Sequence, residues 1–298
     1  MKNRILQTEI DAILKSGRVM SRLQEEKNHH KRLVQENRLH EDRNGVIDRE
    51  YCAKTHKIEW TEKTWNASVG CTKISSGCKN CYAEKMAKRL QAIGMVGYEN
   101  GFKFNTVPSR LNDPLKRKKP TVYFVNSMSD IFHQDMPEDY LDRIFEVIKN
   151  TPQHTYQILT KRADRMLQYL SKRDIPKNIW LGVTVENRKE GLPRIDKLRN
   201  LQASVKFLSV EPLLEDLGKM NLKNIDWVIV GGESGNRARP MDKEWILNVQ
   251  QQCEAEGIAF FFKQWGTWGE DKMKRNKKLN GKKLDGKIWQ QYPKIGEQ

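Results

Sequence analysis

The sequence predicts an α/β fold, in which parallel strands and helices alternate to form a partial or complete TIM-like (β/α) barrel. From Thr64 onward, short apolar segments recur, polar residues follow each of them, and amphipathic segments of helical length separate them. Short apolar runs are typical of parallel strands buried on both faces. The predicted strands are residues 64–67, 122–125, 156–159, 180–183, 205–208, 227–230 and 258–262.

Three segments show helical patterns. Residues 136–150 carry an apolar stripe, with Asp135 expected as the N-cap and Pro137 in the first turn. A second helix is expected to begin near Tyr82. On a third, Cys253 falls in register with apolar residues, so it is predicted to pack in the core.

Two regions of different composition divide the chain. Residues 1–55 are rich in charged and amide side chains with few apolar anchors, which predicts a mostly exposed helical N-terminal extension. Residues 56–298 form the predicted barrel domain, ending in a basic hairpin or tail. Five cysteines are too few for a secreted disulfide framework, and no run of membrane length occurs. We therefore expect a cytoplasmic protein without a membrane partner.

The chain has 54 basic and 38 acidic side chains, a net charge of +16. The excess is concentrated in three runs, residues 109–119, 161–173 and 263–288. Runs of one sign predict a polyanionic partner, with nucleic acid, DNA or RNA, favoured over a membrane surface. The residues expected to contact phosphate are Lys116, Arg117, Lys118, Lys119, Lys161, Arg162 and the lysine-rich stretch 272–283.

Cys71, Cys78 and Cys81 lie on one short segment with the spacing Cys-x6-Cys-x2-Cys. Three thiolates leave one coordination position of a metal open, whereas structural zinc sites normally have four protein ligands. The segment therefore predicts a metal site that performs chemistry. Cys52 is the strongest candidate for a fourth ligand, with His56 and His133 as weaker ones.

Polar residues follow each predicted strand, where active sites of such folds gather. Glu186, Glu211 and Glu233 follow three different strands, and a barrel would bring them toward the cysteines. The glycines of 231-GGESG-235 permit close approach of a ligand, and Arg237 and Arg239 lie nearby. The other residues expected to face a ligand are Ser129, Asp130 and Thr184.

Seven motifs together resemble a phage- and prophage-associated family of radical S-adenosylmethionine-like proteins, related to spore photoproduct lyase. The resemblance covers roughly residues 58–292. The motifs are TWNASVGC at 64–71, CKNCYAE at 78–84, LTKR at 159–162, WLGVTVEN at 180–187, SVEPLL at 209–214, VIVGGESG at 228–235 and FKQWG at 262–266.

The resemblance implies a partial barrel of the radical S-adenosylmethionine type, with a 4Fe-4S cluster held by Cys71, Cys78 and Cys81. It implies S-adenosylmethionine as cofactor, an external electron donor and a 5′-deoxyadenosyl radical that abstracts hydrogen. The substrate expected is a nucleic acid, in repair or modification. Cofactor contacts are expected from Ser129, Asp130, Thr184, Glu186, Glu211, Gly231, Gly232 and Glu233. The spacing of the cysteines and the position of the Gly-Gly-Glu motif depart from the commonest superfamily pattern.

Two alternatives stay open on the sequence. One is a zinc-binding, nucleic-acid-binding protein without catalysis. The other is a metal-dependent nuclease or hydrolase that uses Asp130, Glu186, Glu211 and Glu233 as oxygen ligands. Near the carboxyl terminus, Trp265, Trp268 and Trp289 are expected either to stack on a base or to pack a hairpin.

Overall fold

The computed structural model describes residues 58–294, which contain eleven strands and six α-helices. The strands are β1 (Lys63–Trp65), β2 (Ser68–Val69), β3 (Asn105–Thr106), β4 (Val122–Val125), β5 (Thr155–Thr160), β6 (Ile179–Thr184), β7 (Val205–Val210), β8 (Trp227–Gly231), β9 (Ala259–Gln264), β10 (Lys283–Leu284) and β11 (Lys287–Ile288). The helices are α1 (Tyr82–Ala92), α2 (Glu138–Lys149), α3 (Ala163–Leu170), α4 (Arg188–Arg199), α5 (Lys243–Ala255) and α6 (Lys277–Asn280).

Seven of these strands form one parallel sheet in the order β1-β4-β5-β6-β7-β8-β9. Chain order and sheet order agree, and a helix follows each strand from β4 to β6 and also β8, as in (β/α) barrels. Within residues 58–294 the outer strands β1 and β9 are not paired with each other, so the barrel is partial. The predicted α/β partial barrel is confirmed, with every predicted strand present and its ends within two residues.

The sheet curls around an aromatic cluster. The indole of Trp60 lies 4.8 Å from the ring centroid of Phe124 on β4 and 6.0 Å from that of Trp227 on β8. Four strand steps separate β4 from β8, which in a flat sheet would be about 19 Å. One side chain therefore contacts both only because the concave face closes on itself.

The convex face of the sheet packs against the helices. Alternate strand residues, such as Val183, Leu208 and Val230, join the main core there. Helix α2 buries most of its predicted stripe, which consists of Tyr140, Leu141, Ile144 and Ile148, with Phe145 partly buried. Cys253 is buried on α5, as predicted.

The predicted N-cap of α2 is wrong. The helix begins at Glu138, and Pro137 occupies the N-cap position without a side-chain cap. Asp135 instead belongs to the preceding turn, where its main-chain N–H donates to Nδ1 of His133 at 3.1 Å. No helix within residues 58–294 has the length and apolar composition needed to cross a membrane. The predicted extension, residues 1–55, lies outside the described residues and stays a prediction.

The final described segment bridges the open side of the partial barrel. The N–H of Phe262 on β9 donates to the carbonyl of Trp289 at 2.7 Å, so this segment runs along the outer edge of the sheet. Side chains of Lys282 and Gln290 each donate to the carboxylate of Glu59, just before β1, at 3.0 Å. Residues from the two ends of the described region thus meet beside the gap.

Candidate metal and cofactor site

Residues 70–81, here called the cysteine loop, leave the sheet at its carboxyl edge. The N–H of Gly70 donates to the carbonyl of Met128 at 2.9 Å, and Ser129 Oγ donates to the Gly70 carbonyl at 2.7 Å. Gly70 has φ +74°, and a Cβ there would lie 2.1 Å from the Lys103 carbonyl oxygen, so only glycine fits. The loop ends where Cys81 precedes the first residue of α1.

The three thiols have different surroundings. Arg162 Nη1 donates to Cys71 Sγ at 3.5 Å, while Ser75 Oγ lies 3.6 Å from Cys78 Sγ. Burial, together with the charge of Asp130, raises the pKa of Cys71 to about 11 although Arg162 opposes the shift. Burial also acts to raise the pKa of Cys78, but the charge of Lys161 and hydrogen bonds to the thiol lower it overall. Cys78 therefore ionises more readily than Cys71.

The donor set suits an iron–sulfur cluster, since thiolates are its usual protein ligands. The loop leads into α1, an eleven-residue helix whose N-terminus carries partial positive charge. The side chains of Arg162 and Lys161 lie near Cys71 and Cys78 and would add positive charge beside an anionic cluster. In residues 58–294, no three side chains of His, Cys, Asp or Glu are grouped so that they could hold a metal ion. Convergence of the three sulfur atoms stays a prediction.

Of the candidates for a fourth ligand, only His133 lies within the described residues. His133 is buried and both of its ring nitrogens are hydrogen-bonded, Nε2 with Thr72 Oγ1 at 2.9 Å and Nδ1 with the Asp135 N–H. His133 therefore contacts the cysteine loop through the hydroxyl group of Thr72. Cys52 and His56 lie outside the described residues.

Glu186 is fully buried and joins the cysteine loop to α4. Its Oε2 accepts from Arg194 Nη1 at 2.6 Å, and its Oε1 accepts from Ser75 Oγ. Near it, Glu190 accepts from both the N–H and the Oγ of Ser76, at 3.0 and 2.8 Å. These two carboxylates therefore hold the middle of the loop.

Glu233 holds the end of the same loop. Its carboxylate accepts from Asn80 Nδ2 at 2.9 Å and from the guanidinium of Arg239 at 2.7 and 3.0 Å. Arg239 also donates to the Ser76 carbonyl at 3.0 Å. Burial acts to raise the pKa of Glu233, but the bonds from Arg239 and Asn80 lower it overall. A charged carboxylate is thus favoured here.

Asp130 and Arg162 hold the beginning of the loop. Asp130 accepts from Thr160 Oγ1 at 2.7 and 2.9 Å and from Arg162 Nη1 at 3.2 Å. Arg162 reaches Cys71 and also donates to the Thr72 carbonyl at 2.9 Å. The side chain of Arg162 is only 9% exposed, so it is buried against Asp130 and the cysteine loop and does not lie on an open basic surface.

Glu211 and Lys263 form an ion pair of 2.9 Å at the mouth of the barrel, and both are partly exposed. Ser209 Oγ donates to Glu211 at 3.2 Å. Thr184 is buried, with Lys161 Nζ 3.4 Å from its Oγ1. These side chains line the concave side near Cys78, whose pKa responds to Lys161.

The two consecutive glycines are explained by contacts within the protein. A Cβ at Gly231 would lie 2.6 Å from Glu211 Oε1, and one at Gly232 would lie 1.9 Å from the Trp265 carbonyl oxygen. Their contact with a ligand stays a prediction. Trp265 is 2% exposed and donates through Nε1 to the Lys283 carbonyl, so this tryptophan packs the C-terminal segment and cannot stack on a base.

Each of the four carboxylates considered as a metal ligand of a hydrolase already forms an ion pair with an Arg or Lys side chain. The pairs are Asp130–Arg162, Glu186–Arg194, Glu211–Lys263 and Glu233–Arg239. Hard metal ions bind carboxylates that are free to coordinate, so the arrangement does not favour the nuclease or hydrolase alternative. The partners Arg194 and Glu190 were not expected from the sequence, because their pairing depends on how α4 docks beneath the loop.

The predicted phosphate-binding residues lie at opposite edges of the sheet. Residues 116–119 precede β4 and so lie at its amino edge, where Lys116 pairs with Asp113. Lys161 and Arg162 follow β5 at the carboxyl edge, beside the cysteine loop. A single surface does not contain both groups.

The fold and the loop define a class of protein: a partial (β/α) barrel that carries three cysteines at its carboxyl edge. Residues 55–293 match the family model described as protein of unknown function, DUF5131, and the chain belongs to this family. None of the curated proteins searched matches it. The expected phage association stays a prediction.

Solved structures of spore photoproduct lyase are similar at low identity. A mutant with one cysteine replaced by serine matches with 14% identity and a TM-score of 0.42, and a complex with dinucleoside spore photoproduct with 12% identity and 0.36. A doubly substituted mutant with bound AdoMet and the same dinucleoside matches with 14% identity and 0.38. Each match covers 66% of this chain and 62% of the lyase chain. Similarity at this level assigns no residue role or activity to this protein.

Proposed function

We propose that the protein is a radical S-adenosylmethionine enzyme in which Cys71, Cys78 and Cys81 hold a 4Fe-4S cluster, and that its substrate is a nucleic acid. One observation supports this most directly. The three thiols lie on a single loop at the carboxyl edge of a parallel sheet, and side chains following four strands of that sheet hold the loop in place. Bound together, such a cluster and S-adenosylmethionine supply hydrogen-abstracting radical chemistry, while the chain binds and orients.

The proposed cofactor contacts have distinct tasks in this arrangement. Ser129, Asp130, Glu186 and Glu233 fix the cysteine loop through Gly70, Arg162, Ser75 and Asn80 respectively. Thr184 and the Glu211–Lys263 pair line the concave mouth, where hydroxyl and charged groups of a bound ligand would find partners. Gly231 and Gly232 let the main chain approach Glu211 and the Trp265 carbonyl closely, next to that mouth.

Anaerobic purification tests the proposal. We expect a brown protein with about four irons per chain, and 5′-deoxyadenosine after addition of S-adenosylmethionine and dithionite. The single variants Cys71→Ala, Cys78→Ala and Cys81→Ala should lose the iron. Cys253→Ala is the matched control, because this thiol is buried on α5, and it should keep the iron.

Two results would contradict the proposal. A colourless protein with one zinc per chain would favour the zinc-binding alternative. A protein that keeps neither metal, or whose iron is unaffected by the three loop variants, would remove the cluster from these cysteines.

A further inference from the structure

A cleft of about 600 Å³ opens at the carboxyl edge of the sheet. One wall follows β8 and the other belongs to the segment after β9. We call it the basic cleft, and define it by residues 234–236, Thr267 and residues 274–277. None of its lining residues is acidic, and Lys274, Arg275 and Lys277 are cationic.

The first wall of the cleft depends on Gly235. Its φ is +114°, a conformation that side chains disfavour, and its N–H donates to Thr267 Oγ1 at 2.8 Å. A Cβ at this position would lie 3.0 Å from Lys85 Nζ. The main chain of Gly235 thus links the two walls of the cleft, and the lack of a side chain there lets Lys85 of α1 approach the rim.

The positive charge of the cleft is only partly neutralised. Arg275 pairs with Asp271, with Nη1 and Oδ1 2.8 Å apart. Among residues 58–294, no carboxylate lies within 4.0 Å of the amino group of Lys274 or Lys277. Partial desolvation, and after it the charge of Lys263, lowers the pKa of Lys277, although the charges of Glu59 and Glu211 oppose the shift. An anion bound beside Lys277 would offset the repulsion from Lys263.

The cleft lies next to the cysteine loop. Asn80, one residue before Cys81, donates to the carbonyl of Arg237 at 2.8 Å and to Glu233. Residues 234–236 therefore belong to the same turn that contacts the loop. An anion held in the cleft would lie at the carboxyl edge, beside the proposed cofactor site, whereas residues 116–119 are at the other end of the strands.

We propose that the basic cleft binds backbone phosphate of a nucleic-acid strand and so presents that strand to the cysteine loop. This inference rests on the proposed function, because it takes a nucleic acid as the substrate. Lys274 and Lys277 supply the charge. The Lys274 amino group also lies 4.7 Å from the ring centroid of Trp268, which fixes its position at the cleft.

Fluorescence anisotropy of the full-length protein with a labelled, mixed-sequence single-stranded oligonucleotide tests this. The charge reversals Lys274→Glu and Lys277→Glu, combined, should weaken binding at least tenfold at low salt. They should also lower the slope of log K against log salt by roughly 0.7 for each phosphate that the variant no longer neutralises. The matched control is Lys149→Glu with Lys177→Glu, two exposed lysines that precede β5 and β6 and so lie at the amino edge, which should change binding less than twofold.

Iron content should be unchanged in both double variants, since neither pair is bonded to the cysteine loop. The neutral pair Lys274→Gln and Lys277→Gln should also weaken binding, which separates lost attraction from added repulsion.

If the control pair weakens binding and the cleft pair does not, the assignment of the phosphate site to the cleft is wrong, while nucleic-acid binding stands. If polyglutamate displaces the oligonucleotide as well as unlabelled oligonucleotide does, the cleft has no phosphate site. If the unsubstituted protein does not bind the oligonucleotide, both the cleft assignment and the nucleic-acid substrate are contradicted, whatever the iron content of the protein.

Discussion

Single carboxylates at the strand ends decide how the cysteine loop is held. Glu186 shows this most clearly, because it has no exposed surface and both of its oxygens are bonded, one to Arg194 and one to Ser75. A buried charge of this kind is tolerated only when it is paired. Glu186 thus contacts the cysteine loop through Ser75, and its contact with a cofactor stays a prediction.

Replacing Glu186 with Gln should destabilise the protein by about 3 kcal/mol, because Arg194 would keep a buried charge without its carboxylate. The cysteine loop should also loosen, so that Cys78 reacts faster with a thiol reagent. Urea unfolding and the alkylation rate measure the two effects. Glu256→Gln, at an exposed position after α5, is the control and should change neither. Equal alkylation rates in all three proteins would show that Glu186 does not hold the loop.

His133 should make stability depend on pH. Burial, and after it the charge of Arg162, lowers the pKa of this histidine in the folded protein. The unfolded chain then binds a proton more readily, so the contribution to stability is complete above the ordinary histidine pKa of about 6.5 and declines as the pH falls through it. Protonation would also break the bond from the Asp135 N–H to Nδ1. Urea midpoints at pH 7.5 and 5.5 should differ less in His133→Gln; an unchanged difference would exclude His133 as the cause.

At the scale of elements, β6 and β7 fit together through one glycine. A Cβ at Gly182 would lie 2.4 Å from Cζ of Phe207, whose ring crosses the neighbouring strand on the concave face. Gly182→Ala should therefore destabilise the protein by about 1–3 kcal/mol through overpacking. Adding Phe207→Leu should recover part of the loss, which thermal unfolding can measure. Additive losses in the double variant would show that the two positions do not share space.

The elements themselves were largely predictable from the sequence, because buried parallel strands leave short apolar runs that end in polar residues. Alternation also placed Glu186, Glu211 and Glu233 at one edge. Their partners were not predictable, since Arg194 meets Glu186 only after α4 packs on the sheet. The start of α2 was misplaced because Pro137 occupies the N-cap position, which leaves Asp135 two residues before it, in the turn around His133.

At the scale of the whole molecule, the C-terminal segment completes the barrel domain. Tyr292 packs on Trp227 and Phe261 with ring centroids 5.4 and 5.5 Å away, and Trp227 Nε1 donates to the Gln291 carbonyl at 2.9 Å. A chain that ends at Gly281 also lacks Leu284, which is buried in the main core, and its free energy of unfolding should be lower by at least about 3 kcal/mol. It should also bind a hydrophobic dye more strongly. A chain that ends at Lys294 keeps these contacts and is the control; equal unfolding midpoints would contradict the assignment.

The cysteine loop also has a consequence for the order of events during synthesis. The loop lies early in the chain, yet its partners come much later: Ser75 bonds a residue 111 positions away, Asn80 one 153 positions away, and Ser76 one 163 positions away. Contacts of such long range are slow to form, because a long loop must close first. While the chain emerges from the ribosome, the three thiols are therefore synthesised long before the residues that hold their loop, and Arg239 must be made before the last of these contacts can form. The cluster proposed for these cysteines would therefore find its finished loop only when translation of the barrel is nearly complete.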